Sequence, residues 1–407
     1  MFSLHLMRKF AADFVFPVSS PPIKNGVVIT DDDGEILDIA SPPNPLYKGE
    51  GEVQYYPGII VPGFVNTHSH LELSHLKGAI PEKKGLDEFI MGIESLRAAS
   101  DKEITEAAEK ADAEMYREGI VAVGDISNKN HSFQTKAKSK IYYHTFIELL
   151  GFHPSRAEYA FEKGLQLKRE YEVQSTMYDE ENNISLTMHA PYSASISLLE
   201  KIKKYAEENH SVLTMHNQEN ADENLLFINK TGKILKRLEA LGIDASFFEP
   251  TGKTSLLSVL PHLPAKNKIQ LVHNVYTTAT EIDAAVNYNP GLYWCFCPNA
   301  NLYIEGRLPD IKMFYDKKLN ITLGTDSLAS NWQLSMLDEI KTLQENFPSI
   351  PFQEILKWST LNGAQLLGIS EQFGSIEKGK QPGLVHIAGI DVKNFGITKE
   401  TTAVRLI

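Results

Sequence analysis

Seven residues able to do acid, base or metal chemistry fall at or just past the ends of short apolar runs. His68 and His70 close the first run as Thr67-His68-Ser69-His70. His189 follows Ile184–Met188, His216 follows Val212–Met215, and His273 follows Ile269–Val272. Asp326 follows Ile321–Leu323, after Gly324 and Thr325, and Glu219 lies three residues past His216. Side chains i and i+2 of a strand share a face. His68 and His70 can therefore point the same way and hold one metal ion. A lone His-x-His also fits two solvated or core histidines, but the further residues at the other tips favour a metal. Zinc accepts imidazole nitrogens and carboxylate oxygens, and a catalytic zinc keeps one position open for water. His216 is the natural third imidazole, and Asp326 completes the set. Asp326 can also take a proton from the water. His273 can orient that water. Glu219 can approach it without ligating the ion; its structural alternative is a helix-start glutamate facing the helix dipole. His189 can contact a substrate, or sit satisfied under a loop.

Weaker candidates surround this set. Glu72, four residues past His68, shares its side if the strand stays extended, and could bind substrate hydroxyls or an amino group. Arg156 and Arg307 follow the third and seventh runs, and either could clamp a carboxylate. Glu72 is equally readable as a surface residue, and Arg156 and Arg307 more readily so. Trp332 could stack on a ring or pack under its loop. Cys295 and Cys297 form Cys-x-Cys within the seventh run and read as a buried strand pair.

The elements that must position these residues alternate. Apolar runs at 60–66, 120–124, 142–150, 184–188, 212–215, 269–272, 292–296 and 321–323 are separated by segments that are mostly amphipathic, including 101–118, 156–171, 197–208, 221–241 and 335–346. Near-continuous apolar strands between helices imply a parallel sheet covered on both faces. Eight units over roughly 300 residues fit an α/β fold, a (β/α)8 TIM barrel whose strand tips converge on one mouth. A doubly wound open sheet is the competing fold, but no Gly-rich dinucleotide or phosphate loop supports it. The first sixty residues read as strands and turns, with Asp31-Asp32-Asp33-Gly34 as a hairpin turn. The last stretch is punctuated by Gly374, Gly379 and Gly383 around Leu384-Val385-His386-Ile387. The expected organisation is residues 1–60 and 371–407 forming one small β-sandwich domain from both chain ends, with the barrel at 61–370.

Composition excludes several classes. Of the 407 residues, 42% are apolar and 23% charged, which suits a globular chain. The net charge of −12, with no basic run, speaks against nucleic acid. Two cysteines exclude a disulfide framework and fit a reducing compartment. Arg8, Lys9 and Asp13 break the amino-terminal apolar stretch, so no signal peptide is expected. No run approaches the roughly 18 apolar residues of a spanning helix. A cytoplasmic protein with a small-molecule substrate, and no membrane or nucleic-acid partner, is expected.

The motif set resembles the amidohydrolase superfamily. Val61-Pro62-Gly63-Phe64-Val65-Asn66-Thr67-His68-Ser69-His70-Leu71-Glu72 is similar to its strand-one signature, and His189, His216, His273 and Asp326 match the later tips in order. The segment Ser375-Ile376-Glu377-Lys378-Gly379-Lys380-Gln381-Pro382-Gly383-Leu384-Val385 resembles the family's return into its β-sandwich. Binuclear members carry a carboxylated lysine at strand four, where this chain has His189. The likeness is therefore to the mononuclear deaminase and chlorohydrolase branch. Within it, adenosine-type deaminases acting on aminodeoxyfutalosine or on adenosylhomocysteine and methylthioadenosine are nearest. The resemblance implies one divalent metal, zinc or iron, on His68, His70, His216 and Asp326. It implies catalytic roles for Glu219, His273 and Asp326, substrate contacts from His189, Glu72 and Arg156, and ammonia release after hydroxide attack. A homo-oligomer would also be in keeping with the family. Competing functions are guanine deaminase-like or triazine hydrolase-like chemistry on another ring or amide, and a metal-free interaction barrel.

Overall fold

The computed structural model describes residues 7–41, 52–174 and 183–407. The amino-terminal strands are β1 (Arg8–Val15), β2 (Ile23–Lys24), β3 (Val27–Thr30), β4 (Ile36–Ala40) and β5 (Val53–Pro62). The predicted hairpin is present: β3 and β4 pair antiparallel, and Asp31 Oδ1 accepts from the amides of Asp33 and Glu35 in the turn. The opening of the apolar stretch at Met1 lies outside the described residues.

Eight strands follow, at the positions the apolar runs predict. They are β6 (Phe64–Ser69), β7 (Ile120–Ser127), β8 (Tyr142–Leu149), β9 (Ile184–Met188), β10 (Leu213–Asn217), β11 (Ile269–His273), β12 (Leu292–Phe296) and β13 (Asn320–Leu323). They form two four-stranded parallel sheets, ordered β6-β7-β8-β9 and β10-β11-β12-β13. Every residue of β7 and β8 is buried, as expected of strands covered on both faces. Main-chain bonds join the two sheets at both ends of the order. The His216 amide donates to the His189 carbonyl at 2.9 Å, and the Asp326 amide donates to the His68 carbonyl at 3.0 Å.

The last strands, β14 (Leu384–Ala388) and β15 (Thr402–Arg405), return to the amino-terminal ones. Together they make one seven-stranded sheet of order β15-β14-β5-β1-β3-β4, with β2 on β1. The two chain ends do meet, as the sequence suggests. The expected break at residue 60 falls inside β5, however. The apolar run at 60–66 is two strands, β5 and β6, parted only by Gly63. The Gly63 amide donates to the Pro382 carbonyl at 3.1 Å, and a Cβ there would fall on the Val121 side chain and 2.7 Å from that carbonyl. Only glycine permits this close approach of two backbones.

The segment 221–241 also differs from its periodicity. It forms two helices, Ala221–Asn229 and Lys233–Ala240. Lys230 ends the first in a left-handed conformation, and Gly232, at φ 100°, caps the second. No helix among the described residues is long and apolar enough to cross a membrane. Replacing Gly63 by alanine is expected to cost about 1–3 kcal/mol through overpacking. Urea denaturation of the variant beside the parent measures it.

Candidate active site

The tips of β6, β10, β11 and β13 bring the expected ligand residues together. His68 Nε2 and His70 Nε2 lie 3.3 Å apart. Asp326 Oδ1 lies 3.6 Å from the first and 3.3 Å from the second. Tetrahedral bonds of about 2.0–2.1 Å separate ligand atoms by roughly 3.3–3.4 Å, so these three atoms have the spacing of a zinc site. His216 adds its ring, 4.9 Å from that of His68. Its Nδ1–H donates to the His189 carbonyl at 2.9 Å, which leaves Nε2 with a free lone pair. The donor atoms of His68, His216 and His273 also lie within 4.8 Å of one another.

Burial sets the protonation of these groups. Burial pushes His189 and His216 down to about 4 and holds His70 and His273 well below the usual imidazole range. These four are neutral at pH 7, which is the ligating form. Burial also lowers His68, but the hydrogen bond and charge of Asp326 outweigh it, and the net direction is upward. Burial raises Asp326, yet the hydrogen bond with His68 and the charges of His70, His68 and His273 hold it well below the carboxylate range. Ser330 Oγ donates to its Oδ2 at 2.7 Å and fixes the carboxylate plane. An anionic carboxylate facing crowded imidazole lone pairs is a donor set that fits a divalent cation.

The backbone is forced at these tips. Gln218, His273, Asn274 and Asp326 have φ of 46°, 74°, 58° and 57°. Non-glycine residues in this region cost on the order of 1–3 kcal/mol each and persist where neighbours over-determine them. Asn274 shows how: its amide donates to the Asn217 carbonyl, its Oδ1 accepts from Asn217 Nδ2, and its Nδ2 donates to the Leu271 carbonyl at 2.9 Å. Glu219 Oε2 lies 3.7 Å from His273 Nε2. Burial raises the Glu219 carboxyl well above its ordinary range, and Asp326, Glu305 and Glu223 add to the effect.

The tips open into a cavity of about 690 Å³. His70, His189, His216, Glu219, His273 and Asp326 line its floor. Leu86, Phe89, Ile93, Phe152, Ile234 and Leu238 make an apolar outer wall. His189 Nδ1 is held by Ser193 Oγ at 2.8 Å. Arg156 lines the rim, exposed, with its guanidinium 4.4 Å from the Tyr159 ring.

Glu72 is the clear correction. The chain does not stay extended after His70 but enters a tight 3-10 turn, Leu71–Leu76. The Glu72 carboxylate is buried, bonded to Arg97 Nη2 at 2.5 Å and to the amides of Asn128 and Lys129. It faces Arg97, and Arg97 is the residue that lines the cavity. Arg307 and Trp332 lie outside the lining; they contact Tyr276 and Glu82 respectively. Cys295 and Cys297 are free and buried. Glu148 is a lining residue that sequence reasoning missed. Its Oε2 accepts from Asn128 Nδ2, and its Oε1 lies 3.6 Å from His216 Nδ1. A charged residue inside the apolar run 142–150 was the available signal. Arg97 and Arg237, which also line the cavity, left none.

The chain belongs to the amidohydrolase family, whose model matches residues 59–404. Among curated relatives, a 5-methylthioadenosine/S-adenosylhomocysteine deaminase of Teredinibacter turnerae is 27% identical over 348 residues, covering 81% of this chain and 72% of the relative. A 5'-deoxyadenosine deaminase of Methanobrevibacter smithii is 25% identical over 363 residues, covering 85% and 75%. Among solved structures, Helicobacter pylori aminofutalosine deaminase in complex with methylthio-coformycin superposes with a TM-score of 0.79 at 22% identity, covering 93% of this chain and 91% of that one. A Xanthomonas campestris adenosine deaminase with bound zinc gives 0.69 at 21% identity, covering 93% and 84%.

Truncating Glu72 to alanine strands two backbone amides and leaves Arg97 Nη2 only its bond to Asn128 Oδ1 at 3.2 Å. The expected loss is about 1–3 kcal/mol of stability, read by urea denaturation, together with altered KM because Arg97 loses its anchor.

Proposed function

We propose that this chain is a metal-dependent aminohydrolase that deaminates an adenine-type nucleoside. The observation that carries the reading is the tetrahedral spacing of the His68, His70 and Asp326 donor atoms, with Glu219 and His273 facing the same floor. Its frame is a closed (β/α)8 barrel at 61–370, supported by the main-chain bonds between β6 and β13 and between β9 and β10. Residues 1–60 and 371–407 form the accompanying β-sandwich, supported by their shared sheet. The two free cysteines fit a reducing, cytoplasmic setting.

His68, His70, His216 and Asp326 would hold one divalent ion, zinc in preference and iron as the alternative. When bound, such an ion supplies Lewis acidity, which makes water nucleophilic near neutral pH. Glu219, kept protonated by burial, donates to a ring nitrogen and makes the adjacent carbon electrophilic. Asp326 and His273 take the proton of the attacking water. The carbon–oxygen bond forms, the carbon–nitrogen bond breaks, and the amino group leaves as ammonia after gaining a proton. His189 and Arg156 contact the substrate, and Arg97 replaces Glu72 in that role. The cavity, whose wall mixes apolar residues with Arg97, Arg156 and Arg237, suits a nucleoside with a 5' substituent, whereas a free base would leave much of it empty.

Elemental analysis beside an ammonia-release assay tests the proposal. The substrates are aminodeoxyfutalosine, adenosylhomocysteine, methylthioadenosine, 5'-deoxyadenosine, guanine and a triazine. About one ion per chain and ammonia from an adenine nucleoside is the expected result. Ammonia from guanine or the triazine alone would move the chemistry to another ring, and a chain that cannot be loaded with metal would overturn the mechanism. E219Q is expected to lower kcat about 10²–10⁴-fold. The parent loses activity as pH rises through the raised Glu219 pKa, because the protonated form is the donor. That alkaline limb is expected to be absent from the pH–rate profile of E219Q.

A further inference from the structure

Glu219 must place a proton accurately, yet its carboxylate accepts no hydrogen bond from another side chain among the described residues. Its carboxylate lies 3.7 Å from His273 Nε2. The residue before it is held more firmly. Gln218 is fully buried and left-handed, at φ 46°. Its Nε2 donates to Glu281 Oε1 at 2.5 Å and to Asn224 Oδ1 at 3.1 Å. Its Oε1 accepts from Thr277 Oγ1 at 2.6 Å. Its amide donates to Glu223 Oε1 at 3.1 Å, and its carbonyl accepts from the Tyr276 amide at 3.0 Å. Every donor and acceptor of the residue is engaged, by partners on two helices, Ala221–Asn229 and Ala279–Tyr288, and the loop after β11.

We infer that Gln218 is a positioning residue for Glu219: the clamped, left-handed Gln218 is the pivot that turns the chain at the end of β10 and throws Glu219 over the cavity floor. An unclamped glutamine has no reason to occupy that region of backbone space. Without the clamp the peptide can relax to an extended conformation, which swings the Glu219 side chain away from His273. The partners hold the pivot from both directions. Glu281 is itself fixed by Thr254 Oγ1 at 2.5 Å and by its capping box with Thr278, so the clamp is anchored to the start of the helix Ala279–Tyr288. The catalytic consequence rests on the deaminase reading, but the structural one does not.

The variants Q218A and Q218M are assayed alone and combined with E219Q, on the adenine nucleoside that the parent deaminates. Each single variant is expected to lower kcat about tenfold to a hundredfold, the loss that a misplacement of about 1 Å brings. KM should stay within about twofold and one ion per chain should be retained. In the E219Q background the same substitutions should change kcat less than about twofold, because a residue acting only through Glu219 has nothing left to lose. Losses that multiply in the double variants would overturn the assignment. So would loss of the ion, which would make Gln218 a support of His216 instead. Q218G accepts the left-handed backbone without strain and guards against misfolding; it is expected to lose less kcat than Q218A, and a larger loss in Q218G than in Q218A would overturn the pivot. A crystal structure of metal-loaded Q218A reads the pivot without any substrate. Glu219 is expected to withdraw from His273 by about 1 Å or more on the scale at which catalysis suffers, and an unmoved Glu219 would overturn the inference. A parent that releases no ammonia from adenine nucleosides, together with a displaced Glu219, would sink the deaminase reading and leave the pivot standing.

Discussion

Everything at the mouth of this fold depends on placing electron pairs against one another where water is excluded. Three imidazoles and a carboxylate meet at the strand tips, buried and 3.3–3.6 Å apart where their distances are shortest. A buried polar atom left without a partner costs about 1–3 kcal/mol. Two of the outward-facing atoms are satisfied by the surroundings, through the His189 carbonyl behind His216 and Ser330 behind Asp326. The inward-facing atoms are left to one another, and a cation answers that geometry. Much of the local structure follows from keeping those atoms aimed inward.

The backbone bears a second cost. Gln218, His273, Asn274 and Asp326 are left-handed at the points where strands become loops. An ordinary strand end would let each side chain continue its alternation. Here the turn re-aims the residue, and buried amides such as Asn274 and Asn217 hold it there. These tips trade stability for placement, as functional sites commonly do.

The eight parallel strands and their tips were legible because parallel strands covered on both faces read as continuous apolar runs, and a polar residue ending such a run stands out. His68, His70, His216, His273 and Asp326 stand out in that way, and the fold brings them together. Glu72 was misplaced because the argument assumed extended chain, while the six residues Leu71–Leu76 tighten into a 3-10 turn. The two helices within 221–241 share one apolar periodicity, which hides the break at Gly232. Gly63 was hidden for the opposite reason: β5 and β6 are both apolar and adjoin, so one run concealed two sheets. Arg97, Arg237 and the Gln218 clamp depend on contacts distant in sequence, and no local pattern encodes them. Glu148 was readable as a charge in an apolar run.

The glycine between β5 and β6 also governs what kind of parts this molecule is made of. The strand that ends in His68 and His70 begins one residue after the central sheet of the two chain ends, and the Pro382 carbonyl from the far end of the chain grips that joint. The terminal sheet and the parallel strands therefore share a peptide hinge rather than a linker. Recombination between relatives that swapped one unit without the other would have to re-fit the Gly63–Pro382–Val121 contact.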